Sequence, residues 1–296
     1  AKRRLSSINK SDLLLFRTHL LKIPLVPKTV NEIFIIVRGV WNDAYEDEII
    51  RTNPVDRISN LEVDNDDDSP DPYTKADLEK IESLLSTYRR PQDINMFLFT
   101  CWTGLSISEV VGLAWEDVDF NKMSIKVRRA HVKAQYKVPK EKSRVREIGL
   151  MQPAIDILLR QRQHTFMKPP IDIEVWQRNN VLKKKESVRL AFLNDAPESP
   201  TGAWHESTVK RWYYELLRKA GIRQRGPNQC RHTYASQMLT HGVPVAWIAE
   251  DLGHTSEAMV RKHYGKIIPE DRPNRAKMIS GIIGIDYKHD MKKAKG

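Results

Sequence analysis

Arg231, His254 and Tyr264 follow one another late in the chain, in the stretches Cys230-Arg231-His232-Thr233-Tyr234-Ala235-Ser236 and Leu252-Gly253-His254, with Tyr264 ten residues after that histidine. Each type has a chemistry. A guanidinium offers a planar fork of donors that matches a phosphate and stays charged. An imidazole that follows a glycine at a helix break can reach a phosphate as a donor. A phenol, with a pKa of about 10, is a poor nucleophile when free. It can attack a phosphodiester once the charge developing on the phosphorane oxygens is stabilised and the leaving oxygen is protonated. Such a set needs no metal. Taken singly, each residue also has an ordinary reading: an arginine on a helix surface, a histidine capping local backbone, a tyrosine packed at a helix end.

The order of these residues, with Thr103-Gly104-Leu105-Ser106-Ile107-Ser108-Glu109 and Trp115-Glu116-Asp117-Val118-Asp119 upstream, resembles the phage integrase or tyrosine recombinase family over nearly the whole chain. Four weak motifs in the right order make a strong one. The resemblance implies a fold that is mainly α with a small antiparallel β-sheet (α+β). It also implies a helical core-site DNA-binding domain over residues 1–61, including Pro27-Lys28-Thr29-Val30-Asn31 and Asn53-Pro54-Val55, an acidic linker over 62–73, and a catalytic domain with a C-terminal tail over 74–296. It implies a site-specific recombinase whose two units clamp the duplex from opposite sides, with Tyr264 as the nucleophile of a 3′-phosphotyrosyl intermediate and Arg231 and His254 on the scissile phosphate. Val138-Pro139-Lys140-Glu141-Lys142-Ser143-Arg144 resembles the mobile turn whose lysine protonates the leaving oxygen. Lys142 matches best and Lys140 is the alternative; the ordinary reading is a solvated Lys-rich hairpin. Lys28, Thr29, Lys140 and Arg144 are candidate DNA contacts. Glu109 is expected to hold its helix, and His232 falls at a non-catalytic histidine of the family.

Two positions depart from the pattern. The family has arginine where this chain has Ser106, and usually histidine where it has Asn228, three residues before Arg231. A serine has no charge with which to clamp a phosphate, and an asparagine cannot transfer a proton. The expected chain is therefore an enzyme of reduced activity. The rival from another class is a DNA-binding regulator that keeps the fold and has lost turnover.

The elements that must position these residues are legible in part. Ser11 is a candidate cap for a helix over 12–22, and Val30, Ile33, Val37, Val40, Trp41, Ala44 and Tyr45 recur at helical spacing, with Trp41 expected in the core. Thr74-Lys75-Ala76-Asp77 reads as a capping box. Helices are expected over about 74–88, 92–103, 106–114, 151–166 and 206–220, and three short ones near 230–241, 244–252 and 256–264, punctuated by Gly242, Pro244 and Gly253. Met123–Val132 and Val145–Ile148 alternate as strands. The segment 168–204 reads as loop.

Composition bounds the rest. The chain has 296 residues, a formal charge of +11, 29% charged residues and two cysteines outside any CxxC pattern, so a disulfide framework and a zinc knuckle are both excluded. Neither a membrane span nor a secretory leader is visible. No Lys or Arg lies between Arg57 and Lys75, where Glu62, Asp64, Asp66, Asp67, Asp68 and Asp71 crowd around Pro70 and Pro72, which concentrates positive charge in the flanking units. A metal site built from His232, His241, His254 and His263 lacks the carboxylate or HExxH context such sites need. The expected partner is double-stranded DNA at core sites, bound by a tetramer, with no metal, small-molecule cofactor or membrane. The expected setting is cytoplasmic and nucleoid-associated, in a bacterial or phage-encoded system. A chain that starts Ala1-Lys2-Arg3-Arg4 is expected to be a piece of a longer one.

Overall fold

The structure is a computed structural model, and it describes residues 3–23, 25–62, 70–194, 202, 204, 206–264, 268–272, 274 and 279–280. Most of the acidic linker, Asp64 to Asp68, and the tail beyond 280 lie outside the described residues. The chain divides into two compact units, Ala1–Ser69 and Pro70–Gly296.

The first unit is built on α1 (Lys10–Lys22) and α2 (Pro27–Glu46). The cap of α1 is Asn9 rather than Ser11: Asn9 Oδ1 accepts from Asp12 N at 3.0 Å and the Asp12 carboxylate accepts from Asn9 N at 3.0 Å, satisfying two orphan amides reciprocally. Pro27 opens α2, where its missing N–H is no loss. Leu13, Leu20, Val30, Phe34, Trp41 and Ala44 form the core with Ile50, Val55 and Ile58 from the returning segment. Trp41 is buried as expected, whereas Val40 and Tyr45 of the same apolar row stay exposed, because two helices offer only one stripe to cover. Asn31 ties down the end of the unit by bonding both N and O of Leu61 at 2.9 Å.

The second unit centres on α4 (Pro91–Thr103), whose run Ile94 to Phe99 is buried on all sides. Around it pack α3 (Lys75–Ser83), the short α5 (Ile107–Val111), α6 (Gln152–Thr165), α7 (Glu206–Lys219) and α8 (Gln229–Thr240). Thr74 and Asp77 form the capping box that the sequence predicts. The expected linker end, 70–73, belongs to this unit. Tyr73 is fully buried, its amide donates to Thr233 Oγ1 at 2.8 Å, and its hydroxyl meets that of Tyr213 at 2.8 Å.

Strands β1 (Val118–Asp119), β2 (Ser124–Val127) and β5 (Arg146–Gly149) form an antiparallel sheet in the order β1-β2-β5. A second sheet, in the order β3-β4-β6-β7, joins β3 (Ala130–Val132) and β4 (Gln135–Lys137) to β6 (Ile171–Trp176) and β7 (Lys183–Val188), with β4 and β6 parallel. This corrects the reading of 168–204 as loop. Ile171, Ile173 and Val175 alternate with Asp172 and Glu174, a half-buried strand, but its partner is lysine-rich and gains strand character only by pairing. It also divides Met123–Val132 between two sheets. Arg129, nearly fully buried, holds the sheets together through Asp117 at 2.7 Å and Glu186 at 2.9 Å. A third cluster forms where α8 meets α9 (Val245–Leu252) and α10 (Glu257–Tyr264): Tyr234, Ala235, Ile248, Leu252, Val260 and Tyr264. No helix among the described residues is long and apolar enough to cross a membrane.

Candidate active site

Two helix ends build the site. α4 and α9 each stop at a glycine in the left-handed region, Gly104 (φ +66°) and Gly253 (φ +67°), and the turns present the carbonyls of Gly104 and Leu252. Arg231, in the first turn of α8, donates to both: Nη1 to Gly104 O at 2.7 Å and Nη2 to Leu252 O. Carbonyls at helix C-termini carry partial negative charge, so they hold a cation where two helices end. A Cβ on Gly104 would sit 2.5 Å from the Tyr234 ring, so no other residue fits that turn.

The remaining edge of the guanidinium faces the nucleophile candidate. Arg231 Nε donates to Tyr264 Oη at 3.3 Å, Nη2 lies 3.3 Å from His254 Nε2, and His254 Nε2 lies 3.4 Å from Tyr264 Oη. Arg231 and His254, 33 and 10 residues away in sequence, thus converge on the Tyr264 oxygen. His254 is placed by the Gly253 turn, with its amide bonded to Ala249 O at 2.9 Å. Burial pulls Arg231 below the usual arginine value, and the Tyr264 hydroxyl and the Glu109 carboxylate work against that pull.

Glu109 does more than hold its helix. Its Oε2 accepts from Ser106 N at 2.8 Å, its Oε1 pairs with Arg146 Nη1 at 2.8 Å, and Arg231 Nη1 lies 3.8 Å away. Burial pushes the carboxyl up, yet the charge and hydrogen bonds of Arg146 outweigh it and hold Glu109 below its ordinary value. Arg146, which sequence reasoning did not single out, is buried at the start of β5 and also donates to Asp251 O at 2.6 Å and Arg144 O at 3.0 Å. Its position in a strand gives no sequence signal of this role, since its partners lie 37 and 105 residues away.

Ser106 caps α5: its Oγ accepts from Glu109 N at 3.4 Å and meets Ser108 Oγ at 3.1 Å, so the position that the resemblance assigns to an arginine is a helix cap here. Asn228 stands at the N-cap of α8 with its side chain exposed and not capping, outside the Arg231–His254–Tyr264 group. Lys142, Ser143 and Arg144 form one exposed 3-10 turn, with Lys140 exposed just before it. The turn docks beside His254: Ser143 Oγ donates to Gly253 O at 3.3 Å, and a Cβ on Gly253 would lie 3.2 Å from Arg144 Cα. Lys28 is exposed and Thr29 half-buried in the first turn of α2. No cluster of three or more His, Cys, Asp or Glu suited to a metal occurs among the described residues.

The sequence profile of the phage integrase family matches residues 75–269. The chain belongs to that family. It is a tyrosine-recombinase-type enzyme of site-specific DNA recombination. Among curated relatives, the prophage integrase IntR of Escherichia coli K12 is 27% identical over 94% of this chain and 70% of its own length. IntQ of the same strain, described as a putative defective protein, is 29% identical over 90% and 70%. Among solved structures, a Tn1549 transposon integrase in complex with a circular intermediate DNA aligns with a TM-score of 0.72 at 21% identity, covering 93% of this chain and 86% of that one. A lambda integrase dimer bound to a COC′ core site aligns at 0.62 and 11%, covering 89% and 82%. These likenesses show the shared integrase fold.

Proposed function

We propose that this integrase cuts DNA at core sites by attack of Tyr264 on a scissile phosphodiester. The observation that carries the reading is the convergence of Arg231 Nε and His254 Nε2 on Tyr264 Oη, at 3.3 and 3.4 Å. Tyr264 Oη gives up its proton to His254 Nε2, 3.4 Å away, and forms the bond to phosphorus; the bond to the 5′-oxygen breaks, and that oxygen takes a proton from Lys142, or from Lys140 if the turn shifts. The 3′-phosphotyrosyl ester keeps the bond energy for rejoining to another strand. Arg231, already fixed by two carbonyls, needs no reorganisation to face the phosphorane oxygens. A bound phosphate would share the donors now turned to Tyr264 and His254. Lys28, Thr29, Lys140 and Arg144 contact the DNA backbone in this reading, two protomers occupy a core site and four form the synaptic complex, and Asn228 hydrogen-bonds near the phosphate without moving a proton.

Tyr264→Phe tests the assignment on a nicked suicide duplex: covalent adduct on a denaturing gel is expected to vanish while DNA binding stays within about twofold of the parent. An adduct that persists in Tyr264→Phe places the nucleophile elsewhere. A second reading, a DNA-binding homologue with little turnover, is favoured by Ser106, whose side chain serves as a helix cap where a second guanidinium is expected. Parent protein that binds DNA with no adduct supports that second reading.

A further inference from the structure

Tyr264 lies on α10, described over Glu257–Tyr264, and packs into its cluster with Val260. A nucleophile attacks in line only if its oxygen keeps one direction. That direction is set by what packs against the ring. Two rings lie against it: His254, with centroids 5.6 Å apart and planes inclined by 56°, and, closer, His232, at 4.7 Å and 38°.

His232 follows Arg231 directly on α8, so the same turn of one helix delivers a guanidinium to the phenolic oxygen and an imidazole to the ring face. It also stands four residues, one helical turn, after Asn228, on the same face of α8, and its amide donates to Asn228 O at 3.2 Å. Asn228 itself is exposed and takes no part in the group around Tyr264 Oη. The aromatic support of the nucleophile thus comes from one turn further along the helix than the position where the sequence departs from its family.

We propose that His232 is a positioning residue for the attack: its ring packs on Tyr264 and fixes the direction of Oη toward Arg231 Nε. The role rests on ring packing and not on a proton held by the imidazole, and it depends on the assignment of Tyr264 as nucleophile. A phenolic oxygen displaced by about 1 Å from its line of attack loses on the order of 10² in rate while the encounter with DNA is untouched.

The test uses the full chain, as it stands and as Ser106→Arg, with nicked suicide duplexes selected for binding from a randomised pool. His232→Ala is expected to lower the single-turnover rate of adduct formation ten- to hundredfold, with the Kd for the duplex and the Tm of the free protein close to the parent. His232→Phe keeps a ring of similar breadth without nitrogen and is expected to restore the rate to within about threefold. An unchanged rate in His232→Ala overturns the proposal. So does a His232→Phe protein as slow as His232→Ala, which would make the imidazole nitrogen the working part, and so does a loss of Tm or affinity that accounts for the slower rate. A parent without Tyr264-dependent adduct in either background overturns the nucleophile assignment, and this proposal with it.

Discussion

Ser106 is where this chain departs from the arginine of its family, and its neighbours give the serine a structural task instead. As it stands it caps α5 in a reciprocal box with Glu109, a device that contributes about 0.5–2 kcal/mol. As an arginine it would add a second donor fork beside Arg231. The transition state concentrates negative charge on the non-bridging oxygens, and a missing preorganised donor typically lowers the rate by ~10²–10³. Ser106→Arg is therefore expected to raise single-turnover cleavage by about that factor, to lower Tm by a few degrees through the lost cap, and to change DNA affinity little. Equal cleavage rates would withdraw the alignment of Thr103–Glu109. Lys142 makes a separate claim. Its turn is docked on Gly253 through Ser143 and Arg144, which puts that turn beside the His254 edge of the site. Lys142→Ala should slow cleavage of a normal substrate and spare one with a 5′-bridging sulfur, which leaves without protonation. Equal slowing of both substrates would pass the role to Lys140, checked with the same pair.

At the scale of elements, the site is a junction of chain ends and turns, tied by a carboxylate. Glu109 links the start of α5 to β5 through Arg146, and Arg146 links β5 to the end of α9 through Asp251 O. The Glu109 carboxyl is held below its ordinary value of 4.5. A group depressed in the native state contributes stability that is complete above its unfolded value and is lost as pH falls through the lower native one. Unfolding free energy should thus decline from about pH 4.5 downward, in part through this junction. Glu109→Gln leaves Arg146 buried without its counter-charge, which costs about 3–5 kcal/mol at pH 7. The variant should also show a shallower acid decline, measured by urea unfolding at pH 7 and pH 4. A Glu109→Gln protein as stable as the parent at pH 7 would show that the pair is not what holds the junction.

For the whole molecule, the boundary between units follows the burial of Tyr73 and not the acidic composition. The segment from Pro70 enters the second unit. Asp71 N donates to Gln229 Oε1 at 2.8 Å, the Asp71 carboxylate accepts from Arg223 at 2.5 Å, and the Tyr73 ring meets Phe97 with centroids 5.2 Å apart. The bond to Gln229, with that of Tyr73 N to Thr233, braces α8 on either side of Arg231. A chain starting at Thr74 should be about 3–5 kcal/mol less stable than one starting at Pro70, the usual loss for a large buried aromatic, with thermal unfolding of the two fragments as the measurement. Matching melting curves would return Tyr73 to the linker.

The three residues that the structure brings together, Tyr264, Arg231 and His254, were readable from the sequence because a nucleophile, a phosphate donor and an imidazole each demand a particular side chain, and these keep those types in order. Helix ends were readable for a related reason. Gly104 and Gly253 adopt the left-handed conformation that side chains resist, and Thr74 with Asp77 supplies a cap, so local chemistry names the boundary. Strand β6 carried an alternating pattern, yet its partner β7 is a lysine run whose strand character comes from pairing. What only the tertiary structure decided has no residue type to announce it. The carbonyls of Gly104 and Leu252 that fix Arg231 lie 127 and 21 residues from it and belong to the backbone, which is the same at every position. Arg146 could equally have been a surface arginine, and becomes part of the site because β5 lies against the end of α9 and the start of α5. His232 and Tyr264 meet because α10 folds back onto α8. Such contacts depend on which elements pack together, and a linear pattern of side-chain types specifies that only after the whole core has formed.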